Sequence, residues 1–333
     1  MDVLRIVSIV AVVAGHSWGP RLLGGEYLEI WRMPLFFFLT GYFWTRGRSV
    51  GHEFQARWRT LAVPYLIWAV IMSVAAWAWT RDTPGEFWPL MANGWYGGSD
   101  QTPPWWAFWF ISVLFFVTVL RRILERFPVG VAWGVAVLGL VLSMLPDSLL
   151  GRTPLGIGLA LPCLFFVLAG ELFKYSIQPR IRRNRALIGA VCVAVGLLAV
   201  ALGVEPLNIK FSGFGDFLLT PVVGALTAAG FVLIFGTVVD RLVRGAARPV
   251  NALVRTGTVV VLFHGWLLQT LVDLGILADG AKFLLTVLIS WAVGLALNAT
   301  PLSPWLSGVP APQWWVRWRG RHQARRDERP ASS

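Results

Sequence analysis

The chain has 333 residues, of which 56% are hydrophobic and 14% charged, and it contains 19 Trp and 21 Phe. Soluble proteins carry about 25% charged residues, and no soluble interior of this size accommodates so much apolar surface, so the solvent for most of the chain is lipid. The composition also excludes a disordered chain, a collagen-like repeat (34 Gly and 20 Pro show no period) and a disulfide scaffold, since there are two cysteines.

A hydrocarbon core about 30 Å thick is crossed by about 20 mainly apolar residues in helix. Ten runs of that kind occur in chain order: 3–20, 28–45, 60–79, 105–121, 128–146, 155–173, 186–204, 217–239, 256–274 and 281–300. The expected fold is all-α, a polytopic membrane protein with about ten transmembrane helices in a single bundle over 1–304. A basic tail, 305–333, is expected to be disordered and cytoplasmic. Residues 80–104, rich in Gly, Pro and aromatics, read as the longest loop. Gly15-His16-Ser17-Trp18 is no small-x-small cleavage site, so the first run reads as a retained span.

The net charge is +12. With the first run starting in the cytoplasm, segments 46–59, 121–127, 174–185, 240–255 and the tail share that side and hold 22 of the 29 Lys and Arg. The opposite loops hold five: Arg21, Arg81, Arg152, Lys210 and Lys282. This is a positive-inside pattern with both termini cytoplasmic. The basic charge therefore reads as a topology signal and an attraction to anionic lipid, with the bilayer as partner and no nucleic acid.

Ionisable groups inside spans are costly, so each needs a cavity or a partner. They are Arg5, His16, Arg32 and His264, with Glu171 and Asp216 near span ends. Arg5 and His16 are eleven residues apart, about three helical turns, which puts them on one face roughly 16 Å apart. A cation at one end and a titratable base at the other suit a long ligand with an anionic head. Equally, Arg5 can snorkel to lipid phosphate while His16 caps the helix. Glu171 either lines a cavity or pairs with Lys174. His52 and His322 stand in basic segments and read as solvated. Cys163 and Cys192 lie in apolar runs, and no HExxH or His/Cys cluster suggests a metal. Trp77, Trp79, Trp105, Trp106, Trp314 and Trp315 read as interfacial belts. Trp88, Trp95 and Tyr96 either pack in the loop or stack on a sugar face.

Three segments carry a more specific signal. They are Asp2-x-x-Arg5 followed after ten residues by His16, then Met33-Pro34-Leu35-Phe36-Phe37-Phe38-Leu39-Thr40-Gly41-Tyr42, then Arg57-Trp58-Arg59-Thr60-Leu61-Ala62-Val63-Pro64-Tyr65. In this order and spacing the chain resembles the acyltransferase-3 family of integral membrane O-acyltransferases, nearest to the sugar O-acetylase type. Trp109-Phe110 and Leu262-Phe263-His264 resemble further family features. The resemblance implies a bacterial plasma-membrane enzyme that moves an acyl group, usually acetyl, from cytoplasmic acyl-CoA to a hydroxyl of a glycan or glycolipid acceptor. It gives His16 the catalytic role and Arg5 a role in donor binding. A neutral imidazole suits a base that takes the proton of a hydroxyl attacking a thioester. Acetyl-CoA is then a co-substrate, with no permanently bound cofactor and no metal. Arg57 and Arg59 are candidates for the donor's phosphates, or simply obey the positive-inside rule.

The chain departs from the family pattern at three places. An Arg-x-x-Arg pair is common before Pro-Tyr, whereas here Arg57-x-Arg59 precedes Thr60. Thr40-Gly41-Tyr42 stands where relatives usually have Ser-Gly-Tyr or Ser-Gly-Phe, and Arg32 stands where a His is frequent. Arg32, Thr40, Tyr42 and His264 are the candidates for acceptor binding, and the cavity is expected among the first, second, third and ninth spans. The rival reading is a transporter or flippase for a lipid-linked or polar small molecule. Against it stand the Arg5–His16 spacing, the missing repeat symmetry and the few acidic groups available for ion coupling. A non-catalytic membrane sensor or scaffold is the third.

Overall fold

The computed structural model describes residues 1–19 and 24–318. Arg21, His322 and the tail beyond residue 318 lie outside them. Among the described residues the structure is helical throughout, with one isolated bridge between Asn208 and Gly213 and no strand. The main helices are α1 (Asp2–Trp18), α2 (Pro34–Tyr42), α3 (Val50–Trp79), α4 (Pro84–Tyr96), α5 (Phe108–Leu124) and α6 (Val129–Ser143). They continue as α7 (Ala160–Leu172), α8 (Arg185–Ala201), α9 (Leu219–Leu242), α10 (Ala247–Arg255), α11 (Gly257–Asp273) and α12 (Asp279–Asn298).

Among the described residues, four stretches are long and apolar enough to cross a membrane: α3, α9, α12 and Pro154–Arg180, which contains α7. A fifth is the pair α10 and α11, bent by 58° at Thr256. The other apolar runs also contain helices, but of 9 to 17 residues, at or below the length a bilayer core requires. The outward faces remain apolar, with Val74, Leu187 and Leu288 among the most exposed side chains. That is the surface of an integral membrane protein.

Local chemistry explains where the helices depart from the expected spans. The run 28–45 is broken: a short helix at Gly25–Glu29 gives way to turns at 30–33 before α2 begins at Pro34. Proline has no N–H to continue the ladder from the preceding turn. The segment 80–104, expected as a loop, holds α4, with Pro84 in its first turn, a position a helix tolerates. The expected loop 240–255 likewise holds α10, which packs against α1. Residues Trp58–Ala62 of α3 form a π-type turn just before Pro64, the usual way a long helix absorbs a missing hydrogen bond.

Helix α1 runs through the centre and contacts α2, α10, α11 and α12. Helix α2 crosses α7 at two glycines: a Cβ at Gly41 would stand 1.8 Å from the Val167 carbonyl oxygen, and one at Gly170 would stand 2.0 Å from that of Phe38. Small residues let backbones approach this closely where lipid offers no hydrophobic drive between helices. Helices α8 and α9 pair in the same manner at Gly189 and Gly230. Beyond the bundle, the short helix Ser303–Leu306 docks on α3, where Trp68 Nε1 donates to the Leu306 carbonyl oxygen at 2.8 Å.

Contacts gather the basic segments at one end. The N-terminal ammonium meets Asp240 at 2.6 Å, the Tyr42 hydroxyl donates to Gln178 at 3.1 Å, and Arg122 donates to the Thr45 carbonyl oxygen at 2.8 Å. This Arg5 end carries segments 46–59, 121–127, 174–185 and 240–255. The His16 end is opposite.

Candidate active site

At the His16 end a cavity of about 570 Å³ opens beside α1, within the size range of small-molecule sites. Its walls are α1 from Ile9 to Gly19, residues 25–36, Trp106–Phe110, the loop 207–211 and Val261 of α11. The expected contribution of the third span is absent: α3 does not line the cavity, and the start of α5 takes its place. Deep in the cavity, Phe36 and Phe110 meet with ring centroids 5.1 Å apart.

His16 is half-buried on this wall. Its ring lies 4.9 Å from that of Trp106 and 5.5 Å from that of His264, centroid to centroid. His264 is 1% exposed, and its Nδ1 lies 2.9 Å from the Val260 carbonyl oxygen. A carbonyl only accepts, so the neutral ring carries its proton on Nδ1, and Nε2 presents a lone pair. That Nε2 is buried and has no hydrogen-bond partner among the described residues. Two imidazoles thus lie side by side, His16 on the cavity wall and His264 behind it with an unused acceptor.

Charged groups surround the opening. Arg32 stands in the break before α2, with Nη2 3.4 Å from Glu29 Oε1, and Glu26 also lines the wall. Lys210 donates to the Gln101 carbonyl oxygen at 2.6 Å. Burial holds its ammonium down at about 8, against an ordinary 10.5, with Asp100 pulling the other way. Sequence reading passed over Lys210 as one isolated cation of an outer loop and took Trp106 for a belt residue; neither carries a local motif.

The remaining candidates fall elsewhere. Arg5 lies about one turn beyond Ile9, outside the cavity lining, half-exposed, 3.7 Å from Asp2 and 4.6 Å from the Phe43 ring centroid. Thr40 donates to the Phe36 carbonyl oxygen within α2 at 2.9 Å, and neither it nor Tyr42 lines the cavity. Arg57 is held by Glu53 at 2.7 Å, while Arg59 and His52 are exposed. The pairing of Glu171 with Lys174 is not found: Glu171 meets Arg121 at 2.7 Å and Arg46 at 2.8 Å. Asp216 accepts from the Glu205 backbone N–H at 3.1 Å, and neither acid lines the cavity. Trp95 donates to Ser73 at 3.0 Å, and Trp88 is exposed.

The Arg5 end contains a buried ion-pair network that no local sequence pattern announces, and it takes in Arg57, a candidate for the donor's phosphates. Glu53 bridges Arg57 and Arg122, at 2.7 and 3.0 Å, and Arg122 also pairs with Glu125. The Trp44 ring lies 4.1 Å beneath the Arg122 guanidinium. No group of three or more His, Cys, Asp or Glu side chains able to hold a metal occurs among the described residues.

A half-buried histidine backed by a buried one beside a cavity with charged lining, with basic segments at the far end, is an arrangement suited to group transfer. The family model described as "Acyltransferase domain" matches residues 1–307. The chain belongs to the acyltransferase-3 family. Neither a curated protein nor a solved structure matches it. In this membrane acyltransferase the matched region ends just after the short helix Ser303–Leu306.

Proposed function

We propose that this acyltransferase transfers an acyl group, most simply acetyl, from acyl-CoA at the Arg5 end to a hydroxyl of a carbohydrate-containing acceptor held in the His16 cavity. The observation that carries this reading is His16 itself. It stands half-buried on a cavity wall, backed by the unpaired Nε2 of His264 and faced by Trp106.

In this reading His16 is the general base. The acceptor oxygen attacks the thioester carbon, its proton passes to the imidazole, and the thiol of CoA leaves. His264, whose ring lies 5.5 Å from that of His16 and whose Nε2 has a free lone pair, supports the charge that His16 acquires. Trp106 and Trp109 offer apolar ring faces and Glu26, Glu29 and Asn208 offer hydrogen-bonding groups, the combination that holds a sugar. Arg5 and the exposed Arg59 meet the donor's phosphates, and Arg57 joins them only by releasing Glu53. The reach of roughly 16 Å along α1 between Arg5 and His16 suits an extended pantetheine arm. That arm has to part the Phe36–Phe110 pair. The Arg5 end is then the cytoplasmic side of a bacterial plasma membrane, with ten passes and both termini inside.

The test is acetyl-CoA turnover, read as free thiol released, by protein in lipid nanodiscs with crude cell-envelope glycan. His16→Ala is expected to lower thiol release at least about 10²-fold while leaving the protein folded. Release that persists in His16→Ala rejects the general-base role. No release together with no acetyl-CoA binding by the wild type rejects the enzyme and favours the transporter.

A further inference from the structure

The break before α2 does more than interrupt a span, because it delivers Arg32 to the wall of α1. A Cβ at Gly15 would stand 1.4 Å from Arg32 Nη1 and 2.6 Å from its Cζ. The guanidinium therefore occupies the place a side chain at position 15 would take, one residue from His16 and inside the same cavity. Ser8 ties the break down from the other side, donating to the Arg32 carbonyl oxygen at 2.8 Å. Among the described residues only Nη2 faces a carboxylate, at a long 3.4 Å. Of Arg32 and Lys210, the Lys and Arg side chains among the described residues that line the cavity, Lys210 is already engaged with the Gln101 carbonyl oxygen. Arg32 is the one held against the helix that carries the base.

We infer that Arg32, seated by Gly15, stabilises the oxyanion formed when the acceptor hydroxyl attacks the thioester in the His16 cavity. The inference rests on the acyltransferase reading above. The acceptor O–H bond breaks as its proton passes to His16, and the new C–O bond forms. The carbonyl electron pair moves onto oxygen beside Nη1. Collapse restores the carbonyl, breaks the C–S bond and releases CoA as a thiolate, which takes the proton back from His16. A fixed donor aimed at charge that exists only in the transition state acts on kcat rather than on binding.

The experiment compares wild type, Arg32→Gln, Arg32→Ala, Gly15→Ala and the Gly15→Ala/Arg32→Gln double variant in nanodiscs, with acetyl-CoA and cell-envelope glycan. Arg32→Gln and Gly15→Ala are each expected to lower kcat by about 10²- to 10³-fold, with the donor KM within about threefold of wild type. The double variant is expected to be no slower than the slower single, since both remove one interaction. Methylguanidine is expected to restore turnover to Arg32→Ala and not to His16→Ala, a response that a merely structural arginine does not give. Gly15→Ala retains every charge, so a loss there is not a loss of net charge. A kcat for Arg32→Gln within about threefold of wild type, or a loss confined to KM, overturns the inference while His16-dependent release keeps the acyltransferase reading. A wild type that neither binds acetyl-CoA nor releases thiol overturns both.

Discussion

The two ends of the bundle treat charge in opposite ways. At the Arg5 end the charges pair into sets, Arg121 and the exposed Arg46 with Glu171 and Arg122 and Arg57 with Glu53, with Trp44 beneath, although the Arg122 Nε finds no partner among the described residues. Around the His16 cavity the ionisable groups are under-paired among the described residues, whereas Lys282 at the same end pairs with Asp279 at 2.9 Å. His264 has an empty acceptor, Arg32 has one long contact, and Lys210 leans on a carbonyl. Paired charges hold helices and loops in register at a desolvation cost that excellent geometry offsets. Groups left short of partners keep interactions in reserve for a substrate. On the proposed function the ion-pair sets of the first end serve stability and the cavity of the second serves chemistry, and substitutions in each should separate along that line.

The largest expected effect is on the stable side. Glu53→Leu removes the carboxylate shared by Arg57 and the buried Arg122, leaving Arg122 only Glu125 and the Thr45 carbonyl oxygen among the described residues, and should cost about 3 kcal/mol, seen as a lowered thermal midpoint or lost folded yield in nanodiscs. Glu53→Leu/Arg122→Met should recover much of it, because the charges it leaves without their partners, Arg57 and Glu125, are partly exposed and the buried guanidinium is gone. Equal instability of the single and double variants would show that the network is not a balanced pair.

Next comes His264→Phe. The Val260 carbonyl oxygen keeps its helical N–H partner, so stability should change little. The imidazole behind His16 is lost, and kcat is expected to fall by about 10²-fold. A lowered thermal midpoint with full activity would move His264 to the structural side of the comparison.

Lys210 gives a smaller effect, of known sign. Its folded value of about 8 lies below the ordinary 10.5, so between those values the unfolded chain binds more protons than the folded one. Stability should therefore rise as pH increases through 8 towards 10.5, and fall as pH drops through 8. Lys210→Met should remove that rise, measured as thermal midpoint against pH. A wild-type curve parallel to that of Lys210→Met across the window would show that Lys210 is not held in a desolvated site.

The smallest effect belongs to Arg59, exposed and outside the network. Arg59→Ala should raise the donor KM several-fold with the thermal midpoint unchanged. Arg57→Ala, which also releases Glu53, should show both changes. Matching profiles for the two would mean that Arg57 and Arg59 serve one purpose.

Much of this was legible in the residues. Apolar composition dictates a lipid environment, because burial of that much hydrocarbon has no other outlet. The charge asymmetry anticipates which segments share an end, and the eleven-residue spacing puts Arg5 and His16 on one helix. Other features were not legible. Prolines at 34, 64 and 84 can break, bulge or start a helix, and only packing chose among these at each site. That is why the expected span 28–45 is broken and the expected loop 80–104 holds a helix.

The sequence by itself determined the membrane setting, the family and the helix that carries Arg5 and His16, since these depend on composition and on residues close together in the chain. Tertiary structure alone decided that His264 backs His16 across about 250 residues, that Glu171 serves Arg121 and Arg46 instead of its neighbour Lys174, and that Arg32 fills the notch at Gly15. The physical reason is the same in each case. A side chain's partner in a low-dielectric interior is whatever the helix crossings place within about 3 Å, and those crossings are set by small-residue contacts such as Gly41 on Val167, which leave no local pattern around the groups they bring together.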